Sequence, residues 1–259
     1  MFKSFYTLLA SFGIQPKLIW ASLKGWPFFR RELREIKRQL KNNKDFTITR
    51  WYPVLRERWS TNGELTDHYF HEDLLVAQRI FENKPVLHVD VGSRVDGFVA
   101  HVASFRTIEV FDIRPQTTNV RNIRFVTADF MNIPASLTDY TDSLSSLNVI
   151  EHFGLGRYGD PIDADGHLKG LHHMHNVLKQ GGKFYFSTPI GPQRIEFNAH
   201  RVFSMTYLMQ LFEPLYHMDH FSFVDDGGVL HENEPLTPEK IKANLGCYFG
   251  FGIFEMTKK

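Results

Sequence analysis

Four short apolar runs in this chain each end in residues able to hold a polar ligand. The first, Pro85 to Gly92, leads into Asp90-Val91-Gly92-Ser93-Arg94-Val95-Asp96-Gly97, and the second, near Thr107 to Phe111, into Asp112-Ile113-Arg114. The third, Ile123 to Val126, is followed by Asp129-Phe130, and the fourth, Ser143 to Val149, runs into Asn148-Val149-Ile150-Glu151-His152. Gly92 permits a tight turn and close approach of a ligand, and Asp112, twenty residues on, is spaced to accept hydrogen bonds from both hydroxyls of a ribose. A nucleoside is the expected ligand. A dinucleotide fingerprint wants glycines at 92, 94 and 97, but Arg94 stands where the backbone must approach a pyrophosphate. A ligand without phosphates fits better than NAD.

These residues converge only if the runs are neighbouring parallel strands, because an open α/β sheet binds its ligands beyond the carboxyl ends of its strands. The pattern supports this. A further strand is expected at Lys183 to Ser187, and helix-compatible sequence lies at Gly97 to Ser104 and Leu168 to Leu178, an alternation that implies βαβ crossovers. A helix from about Asp67 to Glu82 precedes the first strand, with Phe70, Leu74, Ala77 and Phe81 as its apolar stripe. A helix at Ser204 to Phe212 is followed by strand-like runs at Leu215 to Val224 and Cys247 to Met256, which can pair antiparallel. Between them Leu236 to Asn244 reads as a short helix with Thr237 as N-cap and Pro238 in its first turn. The expected architecture is one α/β domain over 51–259, preceded by a helical extension over 1–50.

With 42% hydrophobic and 23% charged residues the chain has enough apolar material for a core, which excludes a disordered or fibrous protein. Its one cysteine, Cys247, excludes an internally disulfide-stapled scaffold and favours a reducing compartment such as the cytoplasm. No apolar run reaches the roughly 18 residues that span a bilayer, and the basic stretch after Ser4 to Ile14 is unlike a signal-peptide cleavage site. Charge is uneven: residues 1–50 hold eleven Lys or Arg against three Asp or Glu, a balance of +8, so the rest of a +1 chain is −7. Between Pro27 and Leu40 the residues Phe29, Leu33, Ile36 and Leu40 recur at helical spacing among five basic residues. Two readings of this basic amphipathic helix stand: it packs on its own domain or a partner, or residues 1–44 lie on an anionic membrane surface, peripheral to the inner membrane. Nucleic acid is not an expected partner, since the remainder is net acidic and carries no recognised motif.

Taken together, Asp90 with Gly92, then Asp112, then Asp129 resemble the Rossmann-like (class I) S-adenosylmethionine-dependent methyltransferases. Leu178-Lys179-Gln180-Gly181-Gly182-Lys183-Phe184 resembles that family's turn into its fifth strand, and Asn148 to His152 the segment after its fourth. The resemblance covers about residues 85–257. Within it, Gly154 to Asp163 resembles an uncharacterised bacterial methyltransferase-like family associated with surface-polysaccharide genes. It implies a mostly parallel sheet closed by an antiparallel pair, with S-adenosylmethionine held by Asp90, Gly92, Ser93, Arg94, Asp112, Ile113, Asp129, Phe130 and Asn148. Arg94 departs from the family's second glycine; it either grips the cofactor carboxylate or is an exposed turn residue.

Methyl transfer to oxygen or nitrogen often needs a base, and His152 stands where the fourth strand delivers side chains to the sulfonium end, with Glu151 to orient it or touch substrate. The alternative for His152 is a helix-start residue with a satisfied hydrogen bond. Arg157, Tyr158 and Asp160, in the glycine-rich loop Gly154 to Gly166, are the expected substrate contacts and suit a small polar or glycan-linked acceptor under a lid. Asp163 to Gly166 lacks the ligands of a calcium loop at its ends, and His172, His173 and His175, with His167, lack metal-site spacing, so no metal is expected. His200, His217, His220 and His231 are further candidates for the substrate side. A second reading, prompted by the altered glycine loop, is a non-catalytic methyltransferase-like scaffold recruited by its basic N-terminal arm.

Overall fold

The computed structural model describes residues 2–42, 45–60 and 68–259, and the chain divides into two compact units, Met1–Glu64 and Leu65–Lys259. The first unit contains helices α1 (Phe2–Ser11) and α2 (Pro16–Gln39). The basic helix expected from Pro27 therefore begins eleven residues earlier, and Pro27 lies inside it. Pro16 occupies the first turn, where its missing N–H is not needed, whereas Pro27 removes only one bond of a long ladder. One face of α2 is packed by residues 51–59. A Cβ on Gly25 would stand 1.9 Å from the Leu55 carbonyl oxygen, so only glycine lets the two backbones meet. Phe28 and Phe29 present their rings edge-on to Trp59 and Trp51 at 5.8 and 6.5 Å between centroids, and Glu32 pairs with Arg58.

The second unit runs α3 (His68–Asn83), β1 (His88–Val91), a π-type turn at Val95–Val99 entering α4 (Ala100–Ala103), β2 (Ile108–Asp112), β3 (Ile123–Thr127) and β4 (Thr141–Leu147). It continues through α5 (Gly166–Val177), β5 (Leu178–Ile190), β6 (Arg194–Glu196), β7 (His200–Val202) and α6 (Met205–Phe212). Last come β8 (Tyr216–Val224), β9 (Leu230–His231), α7 (Pro238–Lys242) and β10 (Gly250–Lys258). The main sheet has the order β3-β2-β1-β4-β5-β10-β8-β9, parallel from β3 to β5. β10 inserts antiparallel between β5 and β8. The expected closing pair is thus present. Strand order reverses between β1 and β4, the switch point at which an open α/β sheet leaves a crevice.

Two apolar layers hold the sheet. On one face Leu75, Val76 and Ile80 of α3 and Phe98, Val99 and Val102 after β1 pack on Ile108, Val110, Leu147 and Tyr185. On the other, Met174 and Val177 of α5 and Leu208 and Phe212 of α6 pack on Val89, Phe111, Leu144 and Phe186. The stripe expected for α3 is corrected here: Phe70, Leu74 and Phe81 are exposed, and only Ala77 of that set is buried. Apolar residues surround much of this helix, and the face that packs carries Leu75, Val76 and Ile80 together with the buried acids Glu72 and Asp73. The short strands β6, β7 and β9 were not expected. β4 ends at Leu147, two residues before the expected limit, because Asn148 turns into the left-handed region at φ 56°.

Helix α5 meets the turn after β4 at Gly170, where a Cβ would stand 2.6 Å from Phe153 Cδ2 and 2.7 Å from Ile150 Cδ1. Gly170→Ala is expected to destabilise the protein by about 1–3 kcal/mol through overpacking, a fall of roughly 2–12 °C in Tm. A calorimetric scan showing an unchanged Tm would mean that this turn is not held by α5.

Candidate functional site

Beyond the carboxyl ends of β1, β2, β3 and β4 lies a cleft of about 740 Å³. Gly92, Ser93, Arg94, Asp112, Ile113, Asp129, Phe130, Asn148, Glu151, His152, Arg157, Tyr158 and Asp160 all line it. Asp90 does not. It is fully buried, accepting from the Ser93 amide at 3.0 Å and hydroxyl at 2.6 Å, and from the Ser145 hydroxyl at 2.6 Å. Burial pushes its carboxyl up to about 6. The Ser93 hydroxyl in turn accepts from the Leu147 amide at 3.0 Å, so Asp90 shapes the loop rather than touching a ligand. Gly92 turns at φ 72°, and a Cβ there would strike Val149 Cγ1 at 2.7 Å.

Two carboxylates at the rim are already paired with arginines. Asp112 accepts from Arg114 Nε at 2.9 Å and from its terminal nitrogen at 2.7 Å, and from the Arg114 amide at 2.8 Å. Arg94 grips Asp96 in the same forked way at 3.1 and 3.0 Å, with its guanidinium 5.0 Å from the Tyr69 ring centroid. Asp129 accepts from the Met131 amide at 2.8 Å. Deeper in, Asn148 donates to the buried carboxylate of Glu72, which leaves the Asn148 Oδ1 with no hydrogen-bond partner among the described residues. A buried acceptor of this kind suits an ammonium or other donor.

Glu151 and His152 follow β4 on a short 3-10 turn, both buried. His152 Nδ1–H donates to the Ala199 carbonyl at 2.7 Å, which places the lone pair on Nε2, 3.7 Å from Glu151 Oε1. Burial first, and then the Arg157 charge, lower His152 to about 4, while burial pushes Glu151 up to about 8. Both groups are therefore neutral at pH 7. Arg157 donates to the same Ala199 carbonyl at 2.9 Å and faces Tyr158, whose ring also lies 4.5 Å from the Arg114 guanidinium.

The glycine-rich loop expected to be a lid is internally tied. Asp160 accepts from the amides of Gly154, Gly156 and Tyr158 at 2.9, 3.2 and 3.1 Å, which spends its oxygens on the loop itself. Buried Arg201, on β7, donates to the carbonyls of Phe153 and Ala164 at 2.5 and 3.2 Å. Of the four outlying histidines proposed for the substrate side, only His200 lines the cleft. His231 pairs with Asp225 at 2.8 Å. His167, His173 and His175 bond to Tyr207, the Phe130 carbonyl and Tyr216 respectively. Among the described residues no group of three or more His, Cys, Asp or Glu stands together as a metal site.

Sequence reasoning missed two acids that stand behind the cleft lining, Glu72 as the partner of Asn148, and three aromatic residues in its walls. Glu72 and Asp73 are buried on α3, and Asp73 is pushed up to about 7 by burial, against the charges of His101 and Arg94. Two adjacent acids directly before the apolar run Leu74-Leu75-Val76-Ala77 were the available signal. Tyr69, Phe249 and Phe251, from elements far apart in sequence, complete the walls.

The strand order and the cleft define a Rossmann-like methyltransferase fold. Solved structures agree: the MccD protein superposes with TM-score 0.50 at 12% identity, over 73% of this chain and 96% of that one. The 4+2 cyclase SpnF does so with 0.50 at 13% identity over 76% and 85%. A chain of the complex between the Haloferax volcanii Trm112 methyltransferase activator and a methyltransferase does so with 0.50 at 17% over 74% and 90%. No curated protein matches the chain in sequence. The chain belongs to the family described as Caenorhabditis protein of unknown function, DUF268, whose profile matches residues 96–242.

The Glu151 assignment is testable by stability. A carboxyl whose folded value is raised to about 8 contributes stability that is fully present below its ordinary 4.5 and is lost as pH rises through 8. Glu151→Gln does not titrate, so its Tm relative to the parent is expected to climb between pH 5 and about 8. A difference that stays flat with pH would show that Glu151 is not held neutral.

Proposed function

We propose that the Leu65–Lys259 unit binds S-adenosylmethionine and transfers its methyl group to a small polar or glycan-linked acceptor, in surface-polysaccharide biosynthesis at the cytoplasmic side of the cell. The observation that carries this reading is the convergence of Asp112, Asn148 and His152 on one cleft at the switch point of a methyltransferase fold. The donor set fits the cofactor: Asp112 offers two oxygens to the ribose hydroxyls, Asn148 Oδ1 accepts from the amino group, and Arg94 can exchange Asp96 for the carboxylate. Ile113 and Phe130, which line the same cleft, would flank the adenine. When bound, S-adenosylmethionine supplies an electrophilic methyl group on a sulfonium.

The chain's own part is orientation and proton removal. His152, held in one tautomer by Ala199, keeps its Nε2 lone pair free to take a proton from an acceptor hydroxyl or amine. Flat walls from Tyr69, Phe249 and Phe251, with Arg157 and Tyr158 at the edge, suit a sugar ring bearing polar substituents.

One observation favours the second reading, a non-catalytic module: Arg114 already occupies Asp112. The fold does not decide between the two, since function resides in the site. Calorimetric titration with S-adenosylmethionine, S-adenosylhomocysteine and NAD separates them. The catalytic reading expects saturable binding of both sulfur nucleosides and none of NAD, weakened roughly 10- to 100-fold in Asp112→Asn, as for hydrogen bonds to a charged acceptor. It also expects tighter binding in Arg114→Ala and loss of turnover in His152→Ala. A folded protein that binds neither nucleoside, with or without Arg114, would make it a scaffold.

A further inference from the structure

The N-terminal unit has a surface that neither its own fold nor the methyl-transfer reading uses. On α2 the residues Ile19, Leu23, Pro27, Arg30, Arg34 and Arg38 follow one another at steps of three or four and so fall on one face of the helix. The opposite face is the one that residues 51–59 cover at Gly25 and Phe28. The stripe changes character along its length. Its first half is apolar and open, with Ile19 53% and Leu23 66% exposed and Trp20 and Trp26 at its flanks, 59% and 38% exposed. Its second half is cationic. Arg30 and Arg34 form no ion pair among the described residues; Glu32 is engaged by Arg58, and Glu35 forks with Arg38 at the end of the stripe, so Arg30 and Arg34 carry its unpaired charge.

The exposed apolar half is costly in water, and its continuation into unpaired guanidinium groups matches the boundary between acyl chains and anionic headgroups. The Lys24 ammonium, 3.5 Å from the Trp20 ring centroid, adds a positive charge beside the apolar half. No helix among the described residues is long and apolar enough to cross a membrane, so the contact is with a surface. The balance of +8 over residues 1–50 supplies the complementary charge. We infer that the N-terminal unit docks on an anionic membrane surface through this face of α2, inserting Ile19, Trp20 and Leu23 while Arg30 and Arg34 pair with lipid phosphates.

The test uses the full chain and vesicles of phosphatidylcholine with or without phosphatidylglycerol. All four tryptophans, Trp20, Trp26, Trp51 and Trp59, lie in this unit, so their emission reports its environment. The expected result is flotation with the anionic vesicles only, a blue-shifted emission, and binding that weakens with added salt. Arg30→Gln with Arg34→Gln should lower partitioning roughly thirtyfold, from about 1 kcal/mol for each basic residue at an anionic surface. Leu23→Ser with Trp20→Ser should lower it at least about tenfold. All four positions are exposed, and unchanged circular dichroism confirms folding. Equal binding to neutral vesicles, or partitioning indifferent to both variants, overturns the inference. So does sedimentation showing a concentration-dependent dimer that Leu23→Ser disrupts without any vesicle binding, since a second copy would then cover the stripe.

Discussion

A carboxyl group fully buried at the centre of a sheet is the constraint on which the rest of the second unit depends. Asp90 tolerates that position only because every approach to it is a hydrogen-bond donor: the Ser93 amide and hydroxyl within its own loop, and the Ser145 hydroxyl from β4. The string extends further. Because the Ser145 hydroxyl donates to Asp90, it must accept from His88 Nε2–H at 3.1 Å, which leaves Nδ1 to accept from Ser143 at 2.8 Å. His88 is therefore a neutral imidazole of one tautomer, lowered to about 3 by burial. Three residues of β4 and two of β1 thus share one polar network at the place where the strand order reverses. A network of this kind fixes register more strictly than apolar contacts would, since a slip of one residue would strand several buried groups.

From that fixed point the site follows. Asp90 holds Ser93, Ser93 holds the Leu147 amide, and Leu147 is the last residue before Asn148 turns left-handed into the cleft. The same turn delivers Glu151 and His152 a few residues later. Farther out the interactions are weaker and exchangeable. The Arg94 and Asp96 pair is exposed, and such pairs contribute little to stability. Asp112 with Arg114 is half-sheltered, and it is held by side-chain contacts at the rim rather than by the buried network. A buried inner network and a rim of solvent-facing ion pairs together shape the cleft.

The strand ends were legible because a buried parallel strand is a short apolar run, and at the ends of β2, β3 and β4 the polar residue that stops it reaches the cleft, whereas at β1 Asp90 is buried and Gly92 and Ser93 line the cleft instead. Asp112, Asp129 and Asn148 could be picked out for that reason. The helices were less legible. On α3 the apolar residues Phe70, Leu74 and Phe81 spell a convincing stripe, but tertiary packing selected the neighbouring face, with Glu72 and Asp73 inside. Periodicity finds an amphipathic helix; it does not say which of two adjacent faces the sheet will take when both are apolar. The role of Asp160 was hidden for a different reason. A carboxylate in a glycine-rich loop looks free to bind substrate until the backbone amides that consume it are folded around it.

Glu151 and His152 show how one environment sets two opposite protonation states. Burial disfavours the charged form of each, so it raises the acid and lowers the base, and the pair is electrically silent at neutral pH although its members stand 3.7 Å apart. Such a pair contributes no net charge to the cleft, whereas Arg157, which lines the same cleft, does. A proton taken by His152 Nε2 would create a cation beside Glu151, and that cation would favour ionisation of the carboxyl it faces. The two groups therefore titrate together once either is charged, and the macroscopic pH dependence of the site belongs to the pair rather than to either residue. The Ala199 carbonyl, outside the Asp90 network, is what holds the His152 ring.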